Sequence, residues 1–288
     1  YSNSLLKVGP GLNFDPECDL EQCENFDPDE PKLACIESCK NLFIPRLMEG
    51  QSPPAPKDGR CEDLSLFQCW EKLDYIGGST PSFISLENGP DLLAYPTKDG
   101  HVYLVDANHL GTLYDRLEIA ATCGSGDSAC KLFWAGMIVT QPALREVAGT
   151  PTLVIPTFMP DESHPAGVVG VEVIVEDETP QLRIAWTYPD FESDAARKRF
   201  RIHPSRPTIA EMGTDETPIA WVVETASVGG KGRLIGVDLR SGEALADLSL
   251  EGPGMRFTKP LVHKDRVYIN HCAGDVGPSF IEAFEIAP

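Results

Sequence analysis

Residues 206–250 read RPTIAEMGTDETPIAWVVETASVGGKGRLIGVDLRSGEALADLSL, and this stretch decides the fold. Pro207 leads into a short apolar run, and Gly, Asp and Thr follow. Ile219-Ala220-Trp221-Val222-Val223 then makes a second run and Arg233-Leu234-Ile235-Gly236-Val237-Asp238 a third. A turn at Ser241-Gly242 precedes a fourth. Short runs rich in Val, Ile and Leu between turn residues mark strands rather than helices.

The same order recurs along the chain. A polar residue followed by Pro opens four units, at Thr80-Pro81, Gln141-Pro142, Arg206-Pro207 and Lys259-Pro260, with spacings of 61, 65 and 53 residues. The second runs of the other units are Leu92–Tyr95, Thr152–Ile155 and Arg266–Ile269; the third runs are His101–Asp106, Val168–Val173 and Phe280–Glu285. A fourth run is visible in the first three units, for example Leu182–Trp186. Four strands per repeated unit predict an all-β chain of four-stranded antiparallel blades, a β-propeller. An ordinary β-sandwich with chance similarity is the plainer alternative.

Two turns carry a family resemblance. Lys98-Asp99-Gly100-His101-Val102-Tyr103-Leu104-Val105-Asp106 and residues 232–243 resemble the third-strand motif of the quinoprotein-like (PQQ-repeat) propellers. The resemblance covers roughly residues 70–288 and implies that an Asp and a Thr/Ser-Gly turn join the outer strands, with a Trp docking between blades. Asp238, Ser241 and Gly242 match that turn, but the expected Trp position is Ala246. In the first unit Asp106 matches and the Gly is displaced to Gly111, while Trp186 stands as a docking candidate. Tyr1–Val8 looks like the third strand of an earlier blade. The chain thus carries four to five blades where the family closes with seven or eight. With Tyr1 rather than Met opening it, the expectation is the C-terminal part of a longer protein, which could pair with a missing N-terminal segment.

Residues 1–10 then end a preceding blade, 11–70 form an acidic cysteine-rich insertion, and 71–288 form the repeat blades. From Asp15 to Glu30 there are eight acids and no base, so the segment is expected to bury little and to be stapled by its cysteines. A short helix is expected around Glu30 to Leu42. Eight of nine cysteines fall into close pairs: Cys18 and Cys23, Cys35 and Cys39, Cys61 and Cys69, Cys123 and Cys130. Local disulfides in an oxidising compartment, secreted or periplasmic, are the favoured reading, although the connectivity stays open. A four-cysteine zinc site from Cys18, Cys23, Cys35 and Cys39 is the rival. Cys272 is left over.

The formal charge of −20 makes a nucleic-acid binder a poor fit, and no apolar run is long enough to span a membrane as a helix. In the resembling dehydrogenases PQQ lies between a Trp and a vicinal disulfide, beside Ca²⁺, with an Asp as base. No adjacent cysteines occur in this chain. The resemblance points to Asp74 and Lys98 as funnel-lining residues. The plain readings are a turn-capping Asp and a solvated hairpin Lys. Ser193 reads as a helix N-cap. Arg197, Lys198, Arg199 and Arg201 form the one positive cluster, suited to an anionic partner or simply to a helix C-terminal end. Gly124–Ser128 lacks the offset Lys of a phosphate loop and reads as a disulfide-closed loop. His271 beside Cys272 reads as a buried or loop histidine, because neighbours on a strand face opposite ways.

These features lead to a non-catalytic binding or scaffold propeller that presents a surface to a protein partner. One alternative is a PQQ- and Ca²⁺-dependent dehydrogenase whose cofactor residues lie mostly upstream. Another is a surface interaction module that uses the acidic insertion.

Overall fold

The computed structural model describes residues 4–23, 33–45, 79–120, 140–158, 166–190, 200, 204–212, 217–225, 230–255, 258–272 and 279–286. They fall into two compact units. The first is Tyr1–Val139 with Val175–Leu182, and the second is Thr140–Ile174 with Arg183–Pro288.

The first unit holds β1 (Leu5–Leu6), α1 (Leu20–Cys23), α2 (Leu33–Ser38), β2 (Leu42–Phe43), β3 (Ser82–Ser85), β4 (Asp91–Pro96), β5 (His101–Asp106) and β6 (Leu113–Glu118). The strands β3-β4-β5-β6 make one antiparallel sheet in chain order. Its strand β5 is almost continuously buried: Val102, Tyr103, Leu104 and Val105 are all fully enclosed.

The second unit is built around β7 (Ala143–Val147), β8 (Thr150–Thr157), β9 (Gly167–Glu176) and β10 (Thr179–Tyr188), with the β9–β10 hairpin tip grouped in the first unit. Then come β11 (Thr208–Met212), β12 (Thr217–Glu224), β13 (Arg233–Asp238), β14 (Ala244–Ser249), β15 (Leu261–His263), β16 (Arg266–Cys272) and β17 (Ser279–Glu285). The sheets are ordered β10-β9-β8-β7, β11-β12-β13-β14 and β15-β16-β17. Ala148 with Gly149, and Asp177 with Glu178, all have positive φ, as two-residue hairpin turns require.

The strand β12 shows why its sheet stacks on both faces. Ala220 and Val222 join one apolar cluster with Val154, Val168, Trp186 and Tyr188 of the β7–β10 sheet. Ile219, Trp221 and Val223 join another with Val267 and Ile269 of the β15–β17 sheet. Side chains alternate along a strand, so a run apolar at every position is the run that can serve two neighbours at once. Meander sheets of four strands, stacked face to face, are the blades of a β-propeller, and the fold is all-β of that class. Among the described residues the last blade has three strands.

Two expectations need correction. The opening strand is only Leu5–Leu6, and it pairs with β2 inside the insertion, Leu5 opposite Phe43 and Leu6 opposite Leu42. Among its described residues the insertion buries a core: Cys35, Ile36, Cys39, Leu42, Phe43 and Ile44 are each at most 3% exposed, because its bridges and short helices gather them inward. The bridges, whose connectivity the sequence leaves open, join Cys18 to Cys39 and Cys23 to Cys35. Within the described residues the predicted helix is present as Leu33–Ser38, ending before Leu42. The remaining disulfide candidates Cys61, Cys69, Cys123 and Cys130 lie outside the described residues.

Trp221 is fully buried, and Gly236 makes room for its ring: a Cβ there would stand 2.8 Å from Cζ3. Trp221→Ala is therefore expected to lower unfolding free energy by about 3–5 kcal/mol, read from urea denaturation. A change below about 1 kcal/mol would contradict the two-faced packing of β12.

Candidate functional site

The hairpin between β4 and β5 is the most polar buried place among the described residues. Thr97 and Asp99 are fully enclosed, Lys98 is 8% exposed and His101 is 6% exposed. Gly100 closes the turn at φ 85°, with its N–H donating to Thr97 O at 3.1 Å, and Thr97 N–H donates to His101 O at 2.9 Å. The carbonyl of Gly100 then accepts from Ile119 N–H at 2.8 Å and Ala120 N–H at 3.1 Å, so the chain leaving β6 folds over the turn.

The Asp99 carboxylate is surrounded by donors. Oδ1 accepts from the Thr97 hydroxyl and from the His101 backbone N–H at 3.1 Å; Oδ2 accepts from the Tyr103 hydroxyl at 2.7 Å. Arg116 Nη2 lies 2.8 Å from His101 Nε2. A guanidinium can only donate, so Nε2 is the acceptor and the ring proton sits on Nδ1. Nδ1 then donates to Asp99 O at 3.0 Å. The Arg116 guanidinium carbon also stands 5.7 Å from the Tyr103 ring centroid, within cation–π range. His101 and Tyr103 alternate on one side of β5, Asp99 precedes them in the turn, and Arg116 stands opposite Tyr103 in the β5–β6 register.

Burial pushes the Asp99 carboxyl up, but His101, by hydrogen bond and by charge, and then the hydrogen bonds of Thr97 and Tyr103 outweigh it and hold the group below the usual carboxylate range. Burial and the Asp99 charge push the Tyr103 phenol well above its ordinary value, so it stays a donor. Each nitrogen of His101 and each oxygen of Asp99 has a partner within the hairpin or on β6.

A second feature is the contact between blades. Trp186 on β10 donates from Nε1 to Leu239 O at 2.8 Å. Gly242, at φ 77°, lies against the same side chain: a Cβ on it would stand 2.7 Å from Trp186 Cβ. Gly170 on β9 leaves the space that the indole fills. The turn beneath is held by Asp238, whose Oδ1 accepts from Arg240 N–H at 2.7 Å, and by Gly242 N–H donating to Asp238 O at 2.9 Å. Trp186 thus docks on the motif turn as expected of it.

The corresponding turn in the first unit has the same backbone plan and a different visitor. Asp106 Oδ1 accepts from Asn108 and His109 N–H, and Asp106 N–H donates to Thr112 O, as Asp238 N–H does to Glu243 O. Leu239 O meets an indole, whereas Ala107 O meets Lys7 Nζ at 3.4 Å. The insertion packs on Gly111. A Cβ there would stand 2.6 Å from Cys39 O and 2.7 Å from Glu37 O. Gly111 N–H donates to Cys39 O at 2.8 Å, and Leu110 N–H donates to Lys40 O at 2.9 Å.

Lys98 is buried, which corrects its reading as a solvated hairpin lysine. Asp74, Arg197, Lys198, Arg199 and Arg201 lie outside the described residues, as do Ser193 and the Gly124–Ser128 loop. His271 is buried, stacked on Phe280 at 4.5 Å, with Nε2 2.6 Å from Glu282 Oε2. Sequence reading missed His101, Tyr103 and Arg116. The available signal was polar side chains at alternate positions of an otherwise apolar central strand.

No protein-family profile matches the chain. No curated protein matches it either. Among solved structures it is similar to BamB from Moraxella catarrhalis at 12% identity and a TM-score of 0.34, over 71% of this chain and 52% of that one. The chain therefore spans about half the length of that protein.

Asp99 sets a pH signature. Its folded-state pKa lies below the unfolded value of about 3.9, so its stabilisation is complete above that value and is lost as pH falls through the lower, folded one. Asp99→Asn is expected to cost about 1–3 kcal/mol at neutral pH, since it disturbs donors left buried. The gap to the wild type should narrow on acidification below about pH 4. A pH-independent gap in urea titrations would refute an ionised Asp99. Trp186→Phe, which removes the donor to Leu239 O, should cost about 1–3 kcal/mol by the same measurement.

Proposed function

We propose that this chain is part of a quinoprotein-like (PQQ-repeat) β-propeller that serves as a non-catalytic binding scaffold for a protein partner in a secreted or periplasmic setting. The observation that carries the reading is the closed network around Asp99 and His101. A general base or nucleophile needs a lone pair facing its substrate, and these lone pairs are directed at Arg116, Thr97, Tyr103 and the His101 backbone. Such a network stiffens a blade.

The meeting of Trp186 with the Asp238–Gly242 turn supports the family part of the reading. The two disulfides support an oxidising compartment. Asp15, Glu17, Asp19 and Glu21 are exposed on the insertion while its cysteines face inward, and the chain carries −20 overall. That distribution favours a partner with a basic surface, drawn in by long-range attraction.

The test uses the full-length protein with PQQ and Ca²⁺ in a dye-linked oxidation assay against alcohols and sugars. Absence of turnover above a protein-free control is expected, together with salt-sensitive capture of one partner that is lost in an Asp15→Lys/Glu21→Lys variant. Turnover would overturn the scaffold reading in favour of the dehydrogenase. Capture unaffected by the charge reversal would move the binding surface away from the insertion.

A further inference from the structure

The four cysteines of the insertion form one cluster rather than two separate bridges. Cys18 precedes α1 and Cys23 ends it, both half-buried, and Cys35 and Cys39 are 2% and 1% exposed. The bridges cross between the two short segments, Cys18 to Cys39 and Cys23 to Cys35, so each segment contributes one sulfur to each bridge. All four Sγ atoms lie within 4.8 Å of one another.

A tetrahedral Zn²⁺ with four thiolates, at a Zn–S distance of about 2.3 Å, needs sulfurs about 3.8 Å apart. The cluster is already of that size. Moving from bridged to coordinating sulfurs calls for opening each bonded pair while the cluster keeps its width. The elements that must give are a four-residue and a six-residue helix, not a sheet. Helical turns of this length are held by tertiary contacts rather than by their own propensity, so they can shift slightly at low cost.

We propose that Cys18, Cys23, Cys35 and Cys39 form a redox-gated zinc site: two disulfides when oxidised, and one tetrathiolate Zn²⁺ centre when reduced. The change balances. Each disulfide takes two electrons and two protons from a dithiol reductant, which leaves as its cyclic disulfide. The four thiols then release four protons as Zn²⁺ binds, giving a centre of net charge −2. The two states exclude each other, so bound zinc marks the reduced chain. Both would hold the carbonyls of Cys39 and Lys40, which accept from Gly111 and Leu110, in reach of the first blade. The inference does not depend on the scaffold reading.

The experiment titrates Co²⁺, as a visible stand-in for Zn²⁺, into the full chain after reduction with a dithiol and anaerobic desalting. One Co²⁺ per chain with the d–d and thiolate charge-transfer bands of a four-sulfur tetrahedral site is expected, displaced by Zn²⁺, with none in the oxidised chain. Cys18→Ser and Cys39→Ser should each abolish the four-sulfur spectrum, and Cys61→Ser and Cys123→Ser should leave it intact. A parallel measurement on the unmutated chain avoids any folding defect of the variants. Zn²⁺ should protect these four cysteines, and not the others, from alkylation mapped by mass spectrometry. Absence of the tetrahedral spectrum in the reduced chain, or equal alkylation of all cysteines with zinc present, would overturn the proposal.

Discussion

The contact on which the second unit turns is a single indole. Trp186 fills the space left by Gly170 on its own sheet, lies against Gly242 on the next, and donates its N–H to Leu239 O. Two glycines are needed because backbone must come close on both sides of a large ring, and a methyl group at either place would collide with it. The hydrogen bond removes the cost of burying an indole N–H, and the ring supplies apolar area in the same stroke. Around it the alternation of β12 sends Ala220 and Val222 towards this cluster and Trp221 towards the opposite one. Sheets stacked in this way need no helices to cover them.

The first unit solves the same problem with different material. Its motif turn at Asp106 shares with the Asp238 turn the Asp side-chain bond to the backbone two residues on and the Asp N–H bond, yet the carbonyl after the Asp receives a lysine ammonium from Lys7 instead of an indole. The volume beside Gly111 is taken by the backbone at the end of α2, and Phe43 reaches Tyr103 with ring centroids 5.5 Å apart. A segment with a strongly acidic surface can serve as packing because its acids point outward while disulfides hold Cys35, Ile36, Cys39 and Leu42 inward. Within the acidic face, Glu17 meets Lys40 at 3.2 Å and accepts from Asn41 at 2.7 Å, and its carboxyl is held below the ordinary range by those contacts. An exposed pair of this kind is worth little in stability. It orders the surface from which any partner would be met.

The closed hairpin at Thr97–His101 belongs to the same economy. A buried turn leaves polar groups without water, and each must find a partner inside the protein. Asp99 collects the donors of its own turn, and Arg116 enters from β6 to occupy the remaining nitrogen of His101. The cation–π contact with Tyr103 keeps that guanidinium beside the ring rather than in solvent.

The strands were legible because their code is local. Pro, an apolar run and a Gly/Asp turn repeat in order, so Thr152–Ile155, Ile219–Val223 and His101–Asp106 were each placed within the strands found. The turn residues Asp106, Asp238 and Gly242 were legible for the same reason: an Asx turn or a positive φ restricts residue type at one position. Trp186 was identified as a docking residue, but its acceptor on Leu239 lies 53 residues away, and no local pattern carries that distance. The pairing of Cys18 with Cys39 and of Cys23 with Cys35, the burial of the insertion, and the partners of Lys7 and Arg116 were settled by chain meeting chain. Sequence by itself determined the all-β blades and their turns, because strand period and turn chemistry act over a few residues. Only the tertiary structure decided which groups meet, because burial and hydrogen-bond satisfaction are properties of the packed whole.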